Sequence, residues 1–113
     1  MSVFLINKRY NGSYKFVFTN RKGHTVFTSI SCREKEHCEK LVNRFKASVD
    51  MFDFIKIKTP AGKLYFQIAI DEQVLATSRK FSTELSMEKG ISNILKYIPE
   101  AEMLEMPGEE DIF

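Results

Sequence analysis

Cysteine, histidine and tryptophan are scarce in this sequence. Two Cys, two His and no Trp occur among 113 residues, and two Cys with no secretory signal favour reduced thiols over a disulfide framework. The candidate metal ligands are His24, Cys32, His37 and Cys38, and their spacing differs from the paired ligands of zinc sites. We therefore expect no metal site and two structural thiols.

Long apolar runs, glycine-rich loops and catalytic pairs are missing as well. The run Val3-Phe4-Leu5-Ile6 is too short for a signal peptide or a membrane span, and no later run is longer, so we expect a cytoplasmic protein without membrane contact. The five glycines stand apart and form no phosphate loop. His37 and Cys38 are neighbours on a predicted helix and point in different directions. No catalytic residue and no cofactor are predicted.

The composition, by contrast, is that of an ordinary globular domain, because 43% of the residues are hydrophobic and 28% are charged. We predict a single domain over residues 1–107, followed by a flexible acidic tail over residues 108–113. The net charge of +2 is unevenly distributed: residues 1–50 contain ten Lys or Arg and four Asp or Glu, whereas six acidic residues and no basic ones follow from Glu100 onward. A basic body can attract anionic partners, although solvated surface charge explains most such patterns.

An internal repeat organises the chain. A displacement of 50 residues places Gly12 on Gly62 and Phe16 on Phe66, and beyond the next turn a displacement of 49 places Thr28-Ser29 on Thr77-Ser78. A one-residue difference at a turn is typical of a duplicated folding unit, because turns tolerate changes in length. Repeat one covers about residues 2–50 and repeat two about residues 51–106.

Each copy predicts three strands followed by one helix. The first strands span about residues 3–8 and 52–58, and the third strands end at the Thr-Ser pairs. The second strands place on their core face Tyr14, Phe16 and Phe18 in one copy and Leu64, Phe66 and Ile68 in the other. The helices carry apolar stripes of Cys38, Leu41, Val42, Phe45 and Val49, and of Met87, Ile91, Ile94, Leu95 and Ile98. Ser and Thr within residues 31–36 and 82–84 predict side-chain caps.

The second copy carries a recognisable combination of motifs. These are Gly62, Tyr65-Phe66, Val74-Leu75-Ala76-Thr77-Ser78, Phe81-Ser82 and Gly90-Ile91, and in this combination the chain resembles the YegP-like family of small bacterial proteins of unknown function. In the first copy, Leu41 stands at the position of the helix glycine and Cys32 at that of the aromatic residue. Gly90 lies within a helix, where glycine is unfavourable, and we expect it to permit close packing.

The resemblance implies an α+β fold. Two tandem β-β-β-α repeats would be related by a pseudo-two-fold axis, with two helices covering an antiparallel sheet and a short C-terminal strand, about residues 102–106, contributed across the repeat boundary. It also implies a monomer that contains an internal pseudo-dimer, with a weak homodimer as the alternative.

Function is predicted only as a class. A non-enzymatic binding or regulatory module is favoured, with a protein as its partner, and a small-molecule enzyme is the least favoured class. Nucleic acid is the alternative partner, and the predicted contact residues are Lys8, Arg9, Arg21 and Lys22, at the two turns that flank the aromatic second strand. Because Phe16 and Phe18 are assigned to the core, they would not be available for stacking on bases, and nucleic acid is disfavoured.

Overall fold

Seven strands and two helices form the part of the chain that the computed structural model describes, residues 1–105. They are β1 (Val3–Lys8), β2 (Tyr14–Thr19), β3 (Thr25–Ser29), α1 (Lys35–Ala47), β4 (Asp53–Lys58), β5 (Leu64–Ile70), β6 (Gln73–Ser78), α2 (Glu84–Tyr97) and β7 (Glu102–Glu105). A 3-10 turn follows each helix, at Val49–Met51 and Ile98–Glu100. The predicted α+β class is confirmed. Met106, the predicted domain end at residue 107 and the acidic segment 108–113 lie outside the described residues.

The strands form one sheet in the order β4-β5-β6-β3-β2-β1-β7. All neighbours are antiparallel except β7, which pairs in parallel with β1. The predicted antiparallel sheet is confirmed for β1 to β6, and the predicted C-terminal strand, whose direction the sequence did not indicate, joins it in parallel. The physical reason is that α2 returns the chain to the end of the sheet at which β1 begins, so that β7 runs alongside β1 in the same direction.

The core lies between this sheet and the two helices. Alternation along the second strands places Phe16, Phe18, Phe66 and Ile68 on the inner face, and all four are fully buried, as predicted. From the helix side, Phe45 of α1 packs edge-on against Phe16, with 5.4 Å between the ring centroids. Helix α1 contacts β1 and β2, and α2 contacts β5. Such burial of aromatic surface supplies most of the stabilisation of a domain of this size.

The helical stripes are confirmed in their central parts and differ from the prediction at Leu95 and at their last residues, Val49 and Ile98, which lie in the 3-10 turns. Cys38, Val42 and Phe45 of α1 are buried, as are Met87, Ile91 and Ile94 of α2. Leu95 is 44% exposed, because at 100° per residue it lies about 80° from the direction of Met87 and so at the flank of the buried arc. Val49 lies beyond α1, in the 3-10 turn.

Only one of the predicted helix caps is present. The Thr83 Oγ1 atom accepts a hydrogen bond from the backbone N–H of Ser86 at 3.1 Å, which caps α2. At α1 the N-cap residue is Glu34, and its side chain makes no capping hydrogen bond. The last Ser before α1, Ser31, lies three residues before this N-cap and is too early in the sequence to cap the helix.

The two Thr-Ser pairs have a structural role. The Ser29 hydroxyl accepts from the Phe16 N–H at 2.9 Å and donates to the Ile30 carbonyl, and the Ser78 hydroxyl makes the matching bonds with Phe66 and Arg79. Each Ser therefore satisfies a buried N–H of the second strand at the point where the third strand leaves the ladder. The pairs therefore stabilise the exit of the third strand toward the helix.

Because Gly90 has no side chain, helix α2 packs closely against the ring of Phe81. A Cβ atom at this position would lie 2.9 Å from Cζ of Phe81, so the expected packing role is confirmed, with the Phe81 ring as the neighbour. At the corresponding place in the first half of the chain stand Leu41 and Cys32. In that half the helix residue is the larger of the two and the residue beside the strand is the smaller, which reverses the sizes of Gly90 and Phe81.

Candidate functional site

The four predicted contact residues lie at two different ends of the sheet. Lys8 and Arg9 are at the β1–β2 turn, whereas Arg21 and Lys22 are in the β2–β3 turn. Strand β2 separates the turns by about 17 Å, five steps of about 3.3 Å. The structure thus does not bring the four together, because successive hairpin turns lie at opposite ends of a sheet.

Local hydrogen bonds hold the β2–β3 turn in one conformation. The Asn20 Oδ1 atom accepts from the backbone N–H groups of Lys22 and His24, at 2.9 and 3.0 Å. The Asn20 N–H in turn donates to the His24 carbonyl at 2.8 Å, and Gly23 adopts a φ of +86°, which favours glycine. Arg21 and Lys22 are therefore presented from an ordered turn.

This turn forms one wall of a groove, and α2 forms the opposite wall. We use the name basic groove for the continuous space between residues 20–24 and Arg79 on one side and the residues of α2 from Ser86 to Tyr97 on the other. It comprises an outer cavity of about 350 Å³ beside Glu100, a central cavity of about 360 Å³ and an inner cavity of about 160 Å³ beside Gly90. The outer and central cavities share Ser2, Arg21 and Tyr97, and the central and inner cavities share Asn20, Arg79 and Asn93.

Positive charge is concentrated in the central cavity. Arg21, Lys22 and Arg79 line it together with His24, and none of its lining residues is acidic. Within residues 1–105, Arg21, Lys22 and Arg79 make no ion pair. The central cavity is consequently a region of positive potential that attracts anions.

The guanidinium groups of Arg21 and Arg79 each lie against an aromatic ring. The Arg21 Cζ atom lies 5.8 Å from the centroid of the Tyr97 ring, and the Arg79 Cζ atom lies 4.9 Å from that of Phe81. Hydrogen bonding by Arg21, and then by Lys96, lowers the pKa of the Tyr97 phenol below its ordinary value. These contacts restrict the orientation of both arginines.

Ser2 contributes an unusual polar atom to the wall between the outer and central cavities. The residue is 3% exposed, and its hydroxyl oxygen makes no hydrogen bond with any residue from 1 to 105. A buried hydroxyl without a partner costs about 1–3 kcal/mol and in native proteins calls for an explanation.

The corresponding place in the other half of the chain has the opposite charge. There the β5–β6 turn consists of Asp71 and Glu72, which adopt φ values of 51° and 67°. Arg44 of α1 pairs with Asp71, with 3.6 Å between Nη2 and Oδ2. Arg44, on the helix of the other half of the chain, thus offsets one of the two negative charges of this turn, and within residues 1–105 the basic groove occurs at one of the two places only.

The two cysteines are buried side by side, away from the groove. Burial raises the pKa of the Cys38 thiol to about 12, with a further contribution from Cys32. Burial also raises the pKa of Cys32, partly offset by a hydrogen bond with Cys38. Thiols that stay protonated are poor nucleophiles and poor metal ligands. Among residues 1–105 no cluster of three or more His, Cys, Asp or Glu side chains could hold a metal ion.

Neither described helix is long and apolar enough to cross a membrane, a finding that covers residues 1–105.

Comparison with known proteins confirms the resemblance to the YegP-like family. No family model matches the chain. The chain is 27% identical over 93 residues to UPF0339 protein YegP of Escherichia coli K12, covering 80% of this chain and 84% of that protein. It is 26% identical over 97 residues to the UPF0339 protein in the ptx operon 5' region of Stutzerimonas stutzeri, covering 84% and 87%.

A solved structure shares the fold. The solution NMR structure of yegP from E. coli, described as a protein of unknown function, matches with a TM-score of 0.82 at 20% identity and covers 96% of this chain and 94% of that one. The likeness supports the α+β fold and the mostly antiparallel seven-stranded sheet. It does not supply a ligand or a reaction, so function has to be argued from the groove.

Sequence reasoning found Arg21 and Lys22 and missed the residues opposite them. Arg79, Asn93, Tyr97 and Ser2 are distant from the β2–β3 turn in sequence and reach the groove only through the fold. One signal was present in the predicted repeat: at a displacement of 49 residues Arg79 corresponds to Ile30, so a charged residue stands where the other half has an apolar one.

Proposed function

We propose that this chain, which resembles the YegP-like proteins in sequence and fold, is a non-enzymatic binding module that holds an acidic segment of a partner protein in the basic groove. The observation that carries the proposal is the central cavity, in which Arg21, Lys22 and Arg79 converge without a carboxylate among the lining residues. Charge complementarity of this kind favours an anionic partner and speeds association.

The shape of the groove supports an extended segment as the ligand. Its cavities follow α2 from Ser86 to Tyr97, a distance of about 17 Å at 1.5 Å per helical residue. An extended chain advances about 3.3 Å per residue, so about five residues would lie in the groove. One or two acidic side chains would then reach the central cavity.

Nucleic acid and catalysis fit the groove less well. The buried rings of Phe16 and Phe18 offer no platform for bases, and Lys8 and Arg9 lie at the other end of β2 and do not extend the basic surface. The cysteine thiols, which would be the strongest nucleophiles, are buried away from the groove. A cytoplasmic location, which is compatible with reduced thiols, stays a prediction.

We also propose that the chain consists of two tandem β-β-β-α repeats related by a pseudo-two-fold axis between β3 and β6. In support, Thr28 pairs with Thr77, its counterpart at a displacement of 49 residues, and Phe27 and Ser29 pair with Ser78 and Ala76 on either side. This pattern is expected where an axis crosses an antiparallel pair. The chain would then be a monomer with an internal pseudo-dimer, and the groove would bind one ligand per chain.

The binding experiment compares one acidic probe with matched variants. A fluorescent Gly-Ser peptide containing four consecutive Glu is titrated with the protein, and anisotropy is recorded at low and at moderate salt. The double variant Arg21→Gln/Arg79→Gln should weaken binding at least about tenfold. The control Lys8→Gln/Arg9→Gln removes the same charge from the other end of β2 and should leave the affinity nearly unchanged.

A single-stranded oligodeoxynucleotide of twelve thymidines serves as the competing ligand. Preferential binding of this oligonucleotide, with a steep salt dependence that the Lys8→Gln/Arg9→Gln variant reduces, would support the nucleic-acid alternative instead. Equal losses of peptide binding in the two double variants would show that the groove has no special role.

A further inference from the structure

We infer that the central cavity of the basic groove is a phosphate subsite that takes a phosphate monoester, carried either by a phosphorylated side chain of the partner or by a small phosphorylated molecule. The inference rests on the proposed function and specifies the chemical group that the groove recognises. It is carried by the charge of the cavity, its neutral donors, its ordered arginines and the unpartnered Ser2 hydroxyl.

The number of charges fits a phosphate better than a carboxylate. Arg21, Lys22 and Arg79 bring three positive charges to one cavity with no acidic lining residue. A phosphate monoester carries about −1.5 to −2 charges and three strong acceptor oxygens near neutral pH, whereas a carboxylate carries one charge and two oxygens. Guanidinium groups suit phosphate in particular, because their planar arrays of donors bind two of its oxygens at once.

The neutral groups of the cavity also offer donors. The Asn20 Oδ1 atom is occupied by the backbone of the turn, which leaves its NH2 group as the available part of the amide. Asn93 approaches from α2. A ligand rich in acceptor oxygens satisfies several such donors together.

Ser2 provides an independent indication. The residue is 3% exposed, and its buried hydroxyl has no hydrogen-bond partner within residues 1–105. It lines both the outer and the central cavity, together with Arg21. A phosphate oxygen in the central cavity would accept from this hydroxyl, so the bound state would satisfy the atom that the free protein leaves without a partner.

The site is also ordered in advance. Tyr97 and Phe81 lie against the two guanidinium groups, and the Asn20 side chain holds the turn that carries Arg21 and Lys22. Because these groups lose little freedom on binding, more of the interaction energy appears as affinity. The central cavity, at about 360 Å³, is near the lower end of the range for small-molecule sites and is open to the groove on both sides.

The experiment uses three peptides that differ at one position. Each contains two Glu on either side of a central residue within a Gly-Ser background, and the central residue is Ser, Glu or phosphoserine. Isothermal titration should show the phosphoserine peptide binding at least about tenfold more tightly than the other two. Inorganic phosphate and free O-phosphoserine, followed by the backbone amide shifts of His24 and Asn93, test whether the phosphate group alone suffices.

Two variants assign the effect to the cavity. Ser2→Ala and Arg79→Gln should each reduce the preference for phosphoserine by about tenfold, whereas Arg9→Gln, which removes one charge elsewhere, should retain it. Ser2→Ala should also leave the melting temperature unchanged or raise it, because it removes an unsatisfied buried hydroxyl. A loss of binding in this variant therefore cannot be attributed to unfolding.

The possible outcomes separate this inference from the proposed function. Tight binding of the phosphoserine peptide without a response to free O-phosphoserine shows that the phosphate must be carried by a side chain of the partner. Responses to both ligands show that small phosphorylated molecules also bind. If the three peptides bind equally, or if the preference survives Ser2→Ala and Arg79→Gln, the phosphate subsite is refuted while the acidic-segment function stands. If no peptide and no phosphate binds, both are refuted.

Discussion

Gly90 of α2 and Phe81 beyond β6 occupy adjoining space, so we expect substitutions at the two positions to compensate each other. A Cβ atom on Gly90 would lie 2.9 Å from the Phe81 ring. The ring cannot easily withdraw, because the nearly parallel Phe66 ring lies 6.0 Å away and the Arg79 guanidinium covers it. The corresponding positions in the first half of the chain carry Leu41 and Cys32, in which the sizes of the two residues are reversed.

Phe81→Cys and Gly90→Leu each introduce the residue found at the corresponding position of the first half, and each substitution alone should be destabilising. Truncation of a buried Phe costs about 3–5 kcal/mol, and since Phe81→Cys retains one heavy atom beyond Cβ, we expect a loss of about 3 kcal/mol. Gly90→Leu gains about 1 kcal/mol of helix propensity but forces its side chain into the ring, for a net loss of about 2 kcal/mol. Independent effects would add to about 5 kcal/mol. We expect the double variant to lose only about 2 kcal/mol, which is a coupling of about 3 kcal/mol.

Equilibrium unfolding in urea of the four proteins measures this coupling, provided that their m values agree. The control combines Gly90→Leu with Phe4→Cys, because the Phe4 ring packs against Phe16 and Phe18 in the other half. That pair should be additive within about 0.5 kcal/mol. A coupling below about 0.5 kcal/mol for Gly90 and Phe81 would show that the close approach has no energetic meaning.

Four further predictions concern stability. Phe16→Ala and Phe66→Ala should each lower the free energy of unfolding by about 3–5 kcal/mol; losses below 1 kcal/mol at both in urea titrations would contradict their place in the core. Ser78→Ala should cost about 1–3 kcal/mol, because it leaves the N–H of Phe66 without its partner, and an unchanged urea midpoint would refute this. The Cys38 pKa is raised from 9.0 to about 12 in the folded protein, so between these pH values the unfolded chain ionises its thiol while the folded protein keeps it neutral. The contribution of this thiol to the free energy of unfolding is therefore complete below pH 9 and is lost between pH 9 and 12. Cys38→Ala should accordingly show a weaker decline of the melting temperature at alkaline pH. The full chain should unfold in one cooperative step, and a fragment of residues 1–50 should be unfolded or self-associated in sedimentation experiments; a folded monomeric fragment would contradict the proposed sharing of one core.

The elements determined by local pattern were accessible from the sequence. Alternation around Phe16 and Phe18 predicted a strand with one buried face, and both rings are buried. The error at Leu95 has a geometric cause, since four-residue spacing from Ile91 fits a helical stripe but does not define its width. The parallel pairing of β7 with β1 depends on the direction in which α2 returns the chain, which no local pattern records.

The groove could be predicted only on one side. Arg21 and Lys22 stand together in a turn and were visible as a basic pair, but Arg79 and Asn93 join them only because β6 pairs with β3 and α2 lies beside that pair. Ser2 carried no signal at all, because neither its residue type nor its neighbours distinguish a buried serine from an exposed one. A binding site whose residues come from distant segments of the chain cannot in general be predicted from local sequence patterns.

The proposed duplication explains why, within residues 1–105, the groove occurs at only one of two corresponding places. Five residues connect β2 to β3, whereas Asp71 and Glu72 alone connect β5 to β6. The shorter turn is acidic and pairs with Arg44, but the position that corresponds to Arg44 in α2 is Asn93, which leaves the positive charge of the longer turn unopposed.

Positions that maintain the fold, such as the serines of the two Thr-Ser pairs, keep the same bonds in both halves. Differences in turn length and charge at one end of a repeated scaffold alter the surface without disturbing the core, because turns and exposed helix positions carry few of its contacts. On this argument the phosphate-binding preference should follow the β2–β3 turn: replacing residues 20–24 by Asp-Glu, the turn of the other half, should abolish it while leaving the cooperative unfolding of the domain in place.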